Sequence, residues 1–261
     1  MRLLFLLFFT LSTLNSCTNR TFPPPAYGGL ELNSANRLAV LEEVRLRSEL
    51  AQSFKGLYRV KVTAKDKKLS QRYIFLLKRP DQLRLDILPL NSAYTLASFT
   101  LKNGQATFLN PSEKFAYLTN NFARVIHEVL GFYLQPDELI GIFLGTIESI
   151  KSKAFFESAL VFQDSDYFWL VNPGSEYWML NLASKDIEFG HVRDSISKDL
   201  KYEVFYTNFV DQGGSKVPAE VRITIPSSQI IIEAKLSTAE VNLDFPDEKF
   251  DLKIPEDYAV R

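Results

Sequence analysis

Apolar positions recur along this chain with two different periods, and the change from one to the other marks out its elements. Leu38, Leu41, Val44 with Leu46, Leu50 and Phe54 follow one another at three- to four-residue spacing, while Glu42, Glu43, Arg45, Arg47 and Glu49 mostly fill the other side. That pattern predicts an amphipathic helix over residues 34–54, with Asn33 or Ser34 as its cap. After Gly56 the period falls to two. Tyr58, Val60 and Val62 alternate with Arg59 and Lys61, and Leu83, Leu85 and Ile87 alternate with Gln82, Arg84 and Asp86, the pattern of half-buried strands. Residues 73–77 are apolar on both sides, as in a strand covered on each face. Residues 94–101 and 105–109 flank Asn103-Gly104, a strong signal for a tight hairpin, and residues 115–118 continue the meander.

The alternation stops in mid-chain. Residues 123–130 read as a short helix ended by Gly131, and Pro136 opens a second over 137–144, ended by Gly145. Proline at the first turn and glycine after the last is the expected asymmetry. Strands resume at 159–162, 167–171, 177–182, 187–192, 202–206, 221–225 and 230–236, with turn signals at Asp164-Ser165-Asp166, Asn172-Pro173-Gly174 and Gly213-Gly214. A helix, six strands, two short helices and seven more strands predict a mainly β (α+β) protein. The expected form is an open or incomplete antiparallel β-barrel of about 11–13 strands, with an N-terminal amphipathic helix and a mid-chain helical lid. The two short helices carry more apolar residues than one narrow stripe needs, so they suit the concave side of such a sheet.

The first 32 residues follow another logic. Arg2, the apolar run over residues 3–11 and the small Ser16 are the parts of a secretory signal, and the run is too short to cross a bilayer. Cys17, the only cysteine of the chain, follows Leu14-Asn15-Ser16 and resembles the lipobox cysteine of bacterial lipoproteins. That resemblance implies a signal peptide at 1–16, a diacylglyceryl group on Cys17 and cleavage just before it; Asn15 is bulkier and more polar than the usual residue there. Each buried acyl methylene contributes about 0.8 kcal/mol, so two chains anchor where one is marginal. Thr18 after the cysteine, in place of Asp, favours the outer membrane by the same resemblance. Residues 17–32, with Pro23-Pro24-Pro25 and Gly28-Gly29, then read as the lipidated cysteine and a stiffened tether to a domain at 33–261.

Composition narrows the chemistry. Of 261 residues, 46% are hydrophobic, which supports a substantial core. Lys+Arg 30 against Asp+Glu 31 leaves no basic excess, so no nucleic-acid partner is expected. His127 and His191 are the only histidines, and HExxH, CxxC, Walker A, GxGxxG and G-x-S-x-G patterns are absent from the sequence. Asp164/Asp166 and Asp137/Glu138 fall in turn or helix-start contexts where carboxylates serve the backbone. No catalytic residue, metal or cofactor is expected. A hydrolase built on an unmarked carboxylate pair stays open as a lesser alternative.

Several segments, in order, resemble the LolA/LolB lipoprotein-carrier superfamily, and its LolB branch most. Gly56-Leu57-Tyr58-Arg59-Val60-Lys61-Val62 after an amphipathic helix is similar to the family's first strand. Arg84-Leu85-Asp86-Ile87-Leu88-Pro89-Leu90-Asn91-Ser92 is similar to its third strand and the loop beyond. Residues 125–139 and Phe143-Leu144-Gly145 look like its paired mid-chain helices. Val217-Pro218-Ala219-Glu220-Val221 and Phe250-Asp251-Leu252-Lys253-Ile254-Pro255 resemble closing-strand patterns. The resemblance fades over residues 151–206. It implies an open barrel lidded by helices whose apolar cavity holds lipoprotein acyl chains. It also implies a monomer anchored in the outer membrane and facing the periplasm, which receives cargo from a soluble periplasmic LolA-like carrier. Leu85, Ile87, Leu96 and Phe108, with Leu130, Phe132, Leu139, Ile142 and Phe143 of the lid, would supply the inner face. Apolar spacing fits a lined cavity and a packed core equally. Leu90 stands where the family carries a protruding leucine that helps insert cargo into the bilayer, although Asn91 replaces the family's glycine. A buried leucine ending a strand fits that position equally. A module of the same fold for another hydrophobic ligand, or a scaffold in envelope assembly, is the alternative function.

Overall fold

The computed structural model describes residues 29–65, 67–130 and 132–261, with the side chains of Val129 and Leu130 outside the description. Cys17, the signal segment and the tether up to Gly28 lie outside the described residues. Within the predicted tether, β1 (Leu30–Glu31) already pairs with Gln163 and Phe162. The first helix, α1 (Ser34–Leu50), starts at Asn33, whose side chain accepts a hydrogen bond from the Asn36 N–H at 3.0 Å.

The helix stops four residues earlier than its spacing predicts. Phe54 belongs to β2 (Ser53–Ala64), where it pairs with Leu77 on one side and Val241 on the other. Two strand neighbours outweigh the i,i+4 match that made Phe54 look helical. The buried stripe of α1 is Val40, Leu41, Val44 and Ser48, whereas Leu38, Leu46 and Leu50 are exposed.

From β2 the chain meanders through β3 (Lys67–Lys78), β4 (Gln82–Pro89), β5 (Ala97–Lys102), β6 (Gln105–Asn110) and β7 (Phe115–Thr119). Strand β5 begins three residues after the predicted start, leaving Tyr94 in an exposed loop. Helices α2 (Phe122–Leu130), α3 (Pro136–Leu144) and the short α4 (Lys153–Ser158) interrupt the strands, with a 3-10 turn at Glu148–Lys151. A second meander follows: β8 (Leu160–Gln163), β9 (Tyr167–Asn172), β10 (Glu176–Asn181), β11 (Ile187–Arg193), β12 (Leu200–Gln212), β13 (Ser215–Ile225) and β14 (Ile230–Val241). The last strand, β15 (Ala259–Val260), lies parallel to β7.

All the strands form one sheet in the order β1-β8-β9-β10-β11-β12-β13-β14-β2-β3-β4-β5-β6-β7-β15, whose two edges stay apart as an open sheet. The two meanders join where β14 pairs with β2, from Ile230↔Ala64 to Val241↔Phe54. Register slips at Leu236/Thr238, Met179/Leu180 and Val192/Arg193 add the local bends a curled sheet requires. Inward side chains from β2 to β14 meet α1, α2 and α3 in one apolar cluster, so the sheet curls round the helices.

Strand direction gives the sheet two rims. One carries the β2–β3 turn, the β4–β5 loop, the β11–β12 loop and the β13–β14 turn. The other carries the β3–β4, β5–β6 and β10–β11 turns and the β12–β13 hairpin. Asn103-Gly104 and Gly213-Gly214 make two-residue hairpins with positive φ at all four positions, as the sequence predicts.

Candidate ligand site

Helix α3 lies on the concave side of the sheet, within the apolar cluster that the strands enclose. Its first turn is built by Pro136 and by Glu138, whose Oε2 accepts the Gln135 N–H at 2.7 Å. The same carboxylate holds Lys201 Nζ of β12 at 2.6 Å. The last turn ends on Gly145 at φ 65°, where the backbone N–H donates to the Gly141 carbonyl.

The sheet adds side-chain donors to two carbonyls of that last turn. Tyr206 Oη donates to Gly141 O at 3.4 Å and Tyr58 Oη to Phe143 O at 3.3 Å. Both tyrosines are fully buried, and burial pushes both phenols far above their ordinary range, so they remain neutral donors. Between them the Phe143 ring stacks on Phe75 at 4.6 Å and tilts against Tyr58 at 4.9 Å. Helix α2 docks by Phe122, edge-on to Phe99 at 4.9 Å, with Val125 and Ile126 buried behind it.

Most of the sequence-predicted ligand residues come together here. Leu85, Ile87, Phe108, Phe132, Leu139, Ile142 and Phe143 are all buried in the one cluster, and Leu96 is half-buried against it. The side chain of Leu130 lies outside the described residues. These side chains belong to one packed cluster, and none lines the cavity described next. Leu90 is in the β4–β5 loop and exposed.

An opening into this interior lies at the far rim. A cavity of about 210 Å³ sits between α1, the end of α3, the β10–β11 turn and the β12–β13 hairpin. Its walls are apolar (Val44, Leu50, Leu144, Ile187, Phe209, Val217) and its mouth carries Arg47, Lys185, Asp186 and Lys216. Asp186 pairs with Lys216 at 3.0 Å and with Arg47 at 3.6 Å, while Lys185 Nζ lies 4.3 Å above the Phe168 ring. Sites for small organic ligands usually enclose about 300–1,000 Å³, so a long chain needs the lid or the hairpin to yield. The sequence reading missed this site. Its wall comes from four segments distant in sequence, and its only local signal, Gly213-Gly214, reads as a turn.

Two carboxylates near the helices titrate in opposite directions. Burial alone would raise Glu148, but Arg79, bound by both its terminal nitrogens at 2.8 and 2.9 Å, and then Lys151 outweigh it and lower the pKa. Arg79 also donates to Ala51 O and Ser48 O, which closes the C-terminus of α1. Burial raises Glu176 despite bonds from Trp178 Nε1 at 2.8 Å and Ser149 Oγ at 3.0 Å to one of its oxygens. On the outer side of β9–β12, Val171, Tyr177, Met179 and Phe189 form a second apolar cluster. There His191 stacks on Tyr177 at 4.4 Å and meets Glu203 at 3.2 Å.

No protein-family model matches the chain, and no curated protein matches it. Solved structures do share its fold. A DUF1329 family protein from Desulfovibrio piger is 8% identical, with a TM-score of 0.58 over 83% of this chain and 96% of that one. A LolA superfamily protein from Nitrosomonas europaea is 15% identical, with a TM-score of 0.51 over 82% and 96%. A domain from Vibrio parahaemolyticus, described as an outer membrane lipoprotein-sorting protein, is 11% identical, with a TM-score of 0.58 over 84% and 97%. At these identities the likeness is one of fold: an open, unclosed sheet wrapped on helices, as in LolA superfamily proteins.

Proposed function

We propose that this chain is a lipid-anchored receptor of the outer membrane that takes lipoprotein acyl chains between its sheet and its helical lid and helps insert lipoproteins into that membrane. The observation that carries the reading is the largely apolar packing of α3 against the concave sheet, in a fold shared with a LolA superfamily protein. Residues 1–16 act as the signal peptide, Cys17 bears the lipid, and the segment up to the domain is the tether. Cargo arrives from a soluble periplasmic carrier of LolA type and leaves into the bilayer, with Leu90 at the membrane contact. No step in this cycle makes or breaks a covalent bond, so no catalytic group is required.

Native mass spectrometry of the mature chain carrying Cys17→Ala, mixed with an acylated lipoprotein and with its unacylated form, tests the reading. A stoichiometric complex that needs the acyl chains supports it. A folded protein that binds neither form, or both alike, sinks it. Retention of a different lipid through purification would favour a carrier for another hydrophobic ligand, which the small, partly cationic mouth would also suit.

A further inference from the structure

At the rim opposite the cavity mouth, the β2–β3 hairpin reaches beyond β4, its neighbour on one side. Strand β4 pairs with β3 only from Gln71 onward, so residues 67–70 have no strand on that side and all four are exposed. This end carries Lys65, Lys67 and Lys68 against Asp66. None of the three lysines takes part in an ion pair among the described residues, and each is exposed. Beside them Leu69 is 51% exposed.

The adjacent β4–β5 loop adds Leu90, 38% exposed, and Tyr94, 62% exposed. Arg72 holds that loop by donating to Pro89 O at 3.1 Å and to Ser92 O. Residues 90–96 carry no charge, and neither does the turn Pro226–Ser228 on the other flank. Nothing on either side therefore cancels the net positive charge of the hairpin end. Exposed aliphatic and aromatic tips beside uncancelled lysines are what a surface needs to enter the boundary of an anionic bilayer.

We propose that the β2–β3 hairpin end and the β4–β5 loop together form a docking surface for anionic lipid. Lys65, Lys67 and Lys68 meet the headgroups, and Leu69, Leu90 and Tyr94 enter the interface. This rests on the reading of the chain as a membrane-anchored protein, but not on what it carries. It gives the hairpin a role that Leu90 alone does not have: selection of the lipid charge under which the rim settles on the membrane.

The test is hydrogen–deuterium exchange of the full chain, purified with its native processing and reconstituted into vesicles. One set is phosphatidylcholine, the other equimolar phosphatidylcholine and phosphatidylglycerol. Exchange at residues 64–69 and 90–95 is expected to slow on the anionic vesicles only. Each lysine near such a surface contributes about fivefold, so Lys67→Gln with Lys68→Gln lowers the affinity for the anionic vesicles about 25-fold, read as loss of that protection. Equal protection on both vesicle types, or protection on neither, overturns the proposal. So does protection in detergent without vesicles, which would mean that the free β3 edge pairs with a second copy. Acyl-dependent cargo binding, measured on the same preparations, separates the two readings. Docking without cargo binding removes the carrier function alone, and cargo binding without docking removes this surface alone.

Discussion

At the scale of single residues, burial is opposed by neutral hydrogen-bond donors at Glu176 and by positive charge at Glu148. Glu176 has its pKa raised, chiefly by burial, so the fold favours its protonated form. A raised carboxyl contributes stability below its unfolded pKa and loses it as pH climbs through the folded one. Glu176→Gln keeps an oxygen for Trp178 and Ser149 without the charge. The variant should melt higher than wild type at pH 7, with the gap closing below the ordinary glutamate range. Thermal melts across pH check this, and a lower Tm at every pH would count against it. Glu148, lowered by Arg79 and Lys151 against its burial, contributes the opposite slope: stability present above its unfolded pKa and lost as pH falls through the folded one. Neither effect is legible in the sequence, because Arg79 meets Glu148 across the fold while the chain shows two ordinary charges. Gly190 is a similar case. It sits inside the predicted strand 187–192 with no local signal of purpose, yet a Cβ there would lie 2.2 Å from the Trp178 ring of the next strand.

Among elements, the short helices and the tight turns were the most legible parts. Pro136 and Gly145 bound α3 as read, and Asn103-Gly104 sets its hairpin, because each of these acts through local backbone geometry. The end of α1 was not legible. Leu46 and Leu50 fit the apolar spacing but face outward, and Phe54 is claimed by strand pairing. What fixes α3 to the sheet also lies beyond local pattern: two buried tyrosine hydroxyls, each at the long end of hydrogen-bonding range. Bonds of that length should contribute about 0.5–1 kcal/mol apiece. Tyr58→Phe with Tyr206→Phe is therefore expected to lower global stability by about 1–2 kcal/mol while leaving the Phe143 stack in place. Amide exchange in residues 139–144 should accelerate, and an acylated probe should enter faster, since the lid must part from the sheet to admit a chain. Unchanged exchange in α3 would show that apolar packing alone holds the lid.

For the molecule as a whole, each of the thirteen strands from β2 to β14 overlaps a predicted one, although β12 runs six residues past its predicted end and β13 starts six before its predicted start, and the order that joins them did not follow from pattern. Alternation says which side of a strand is apolar and is silent on its partner, so the β14–β2 seam and the cavity behind α1 came only from the structure. That order puts the cavity mouth on one rim and Leu90 on the other. If cargo is held behind the lid and released where the β4–β5 loop meets lipid, holding and release depend on different residues. Leu90→Glu separates them. The side chain is exposed and outside the main core cluster, so the substitution should change stability by no more than about 0.5 kcal/mol. Acyl-dependent complex formation should match wild type, because nothing within the lid or the cavity wall changes. Transfer of lipoprotein into vesicles should slow, because a carboxylate must be kept out of the interface that a leucine enters readily. Wild-type transfer by this variant would remove Leu90 from the release step. Weakened cargo binding would instead mean that the two rims are coupled through the packing between them.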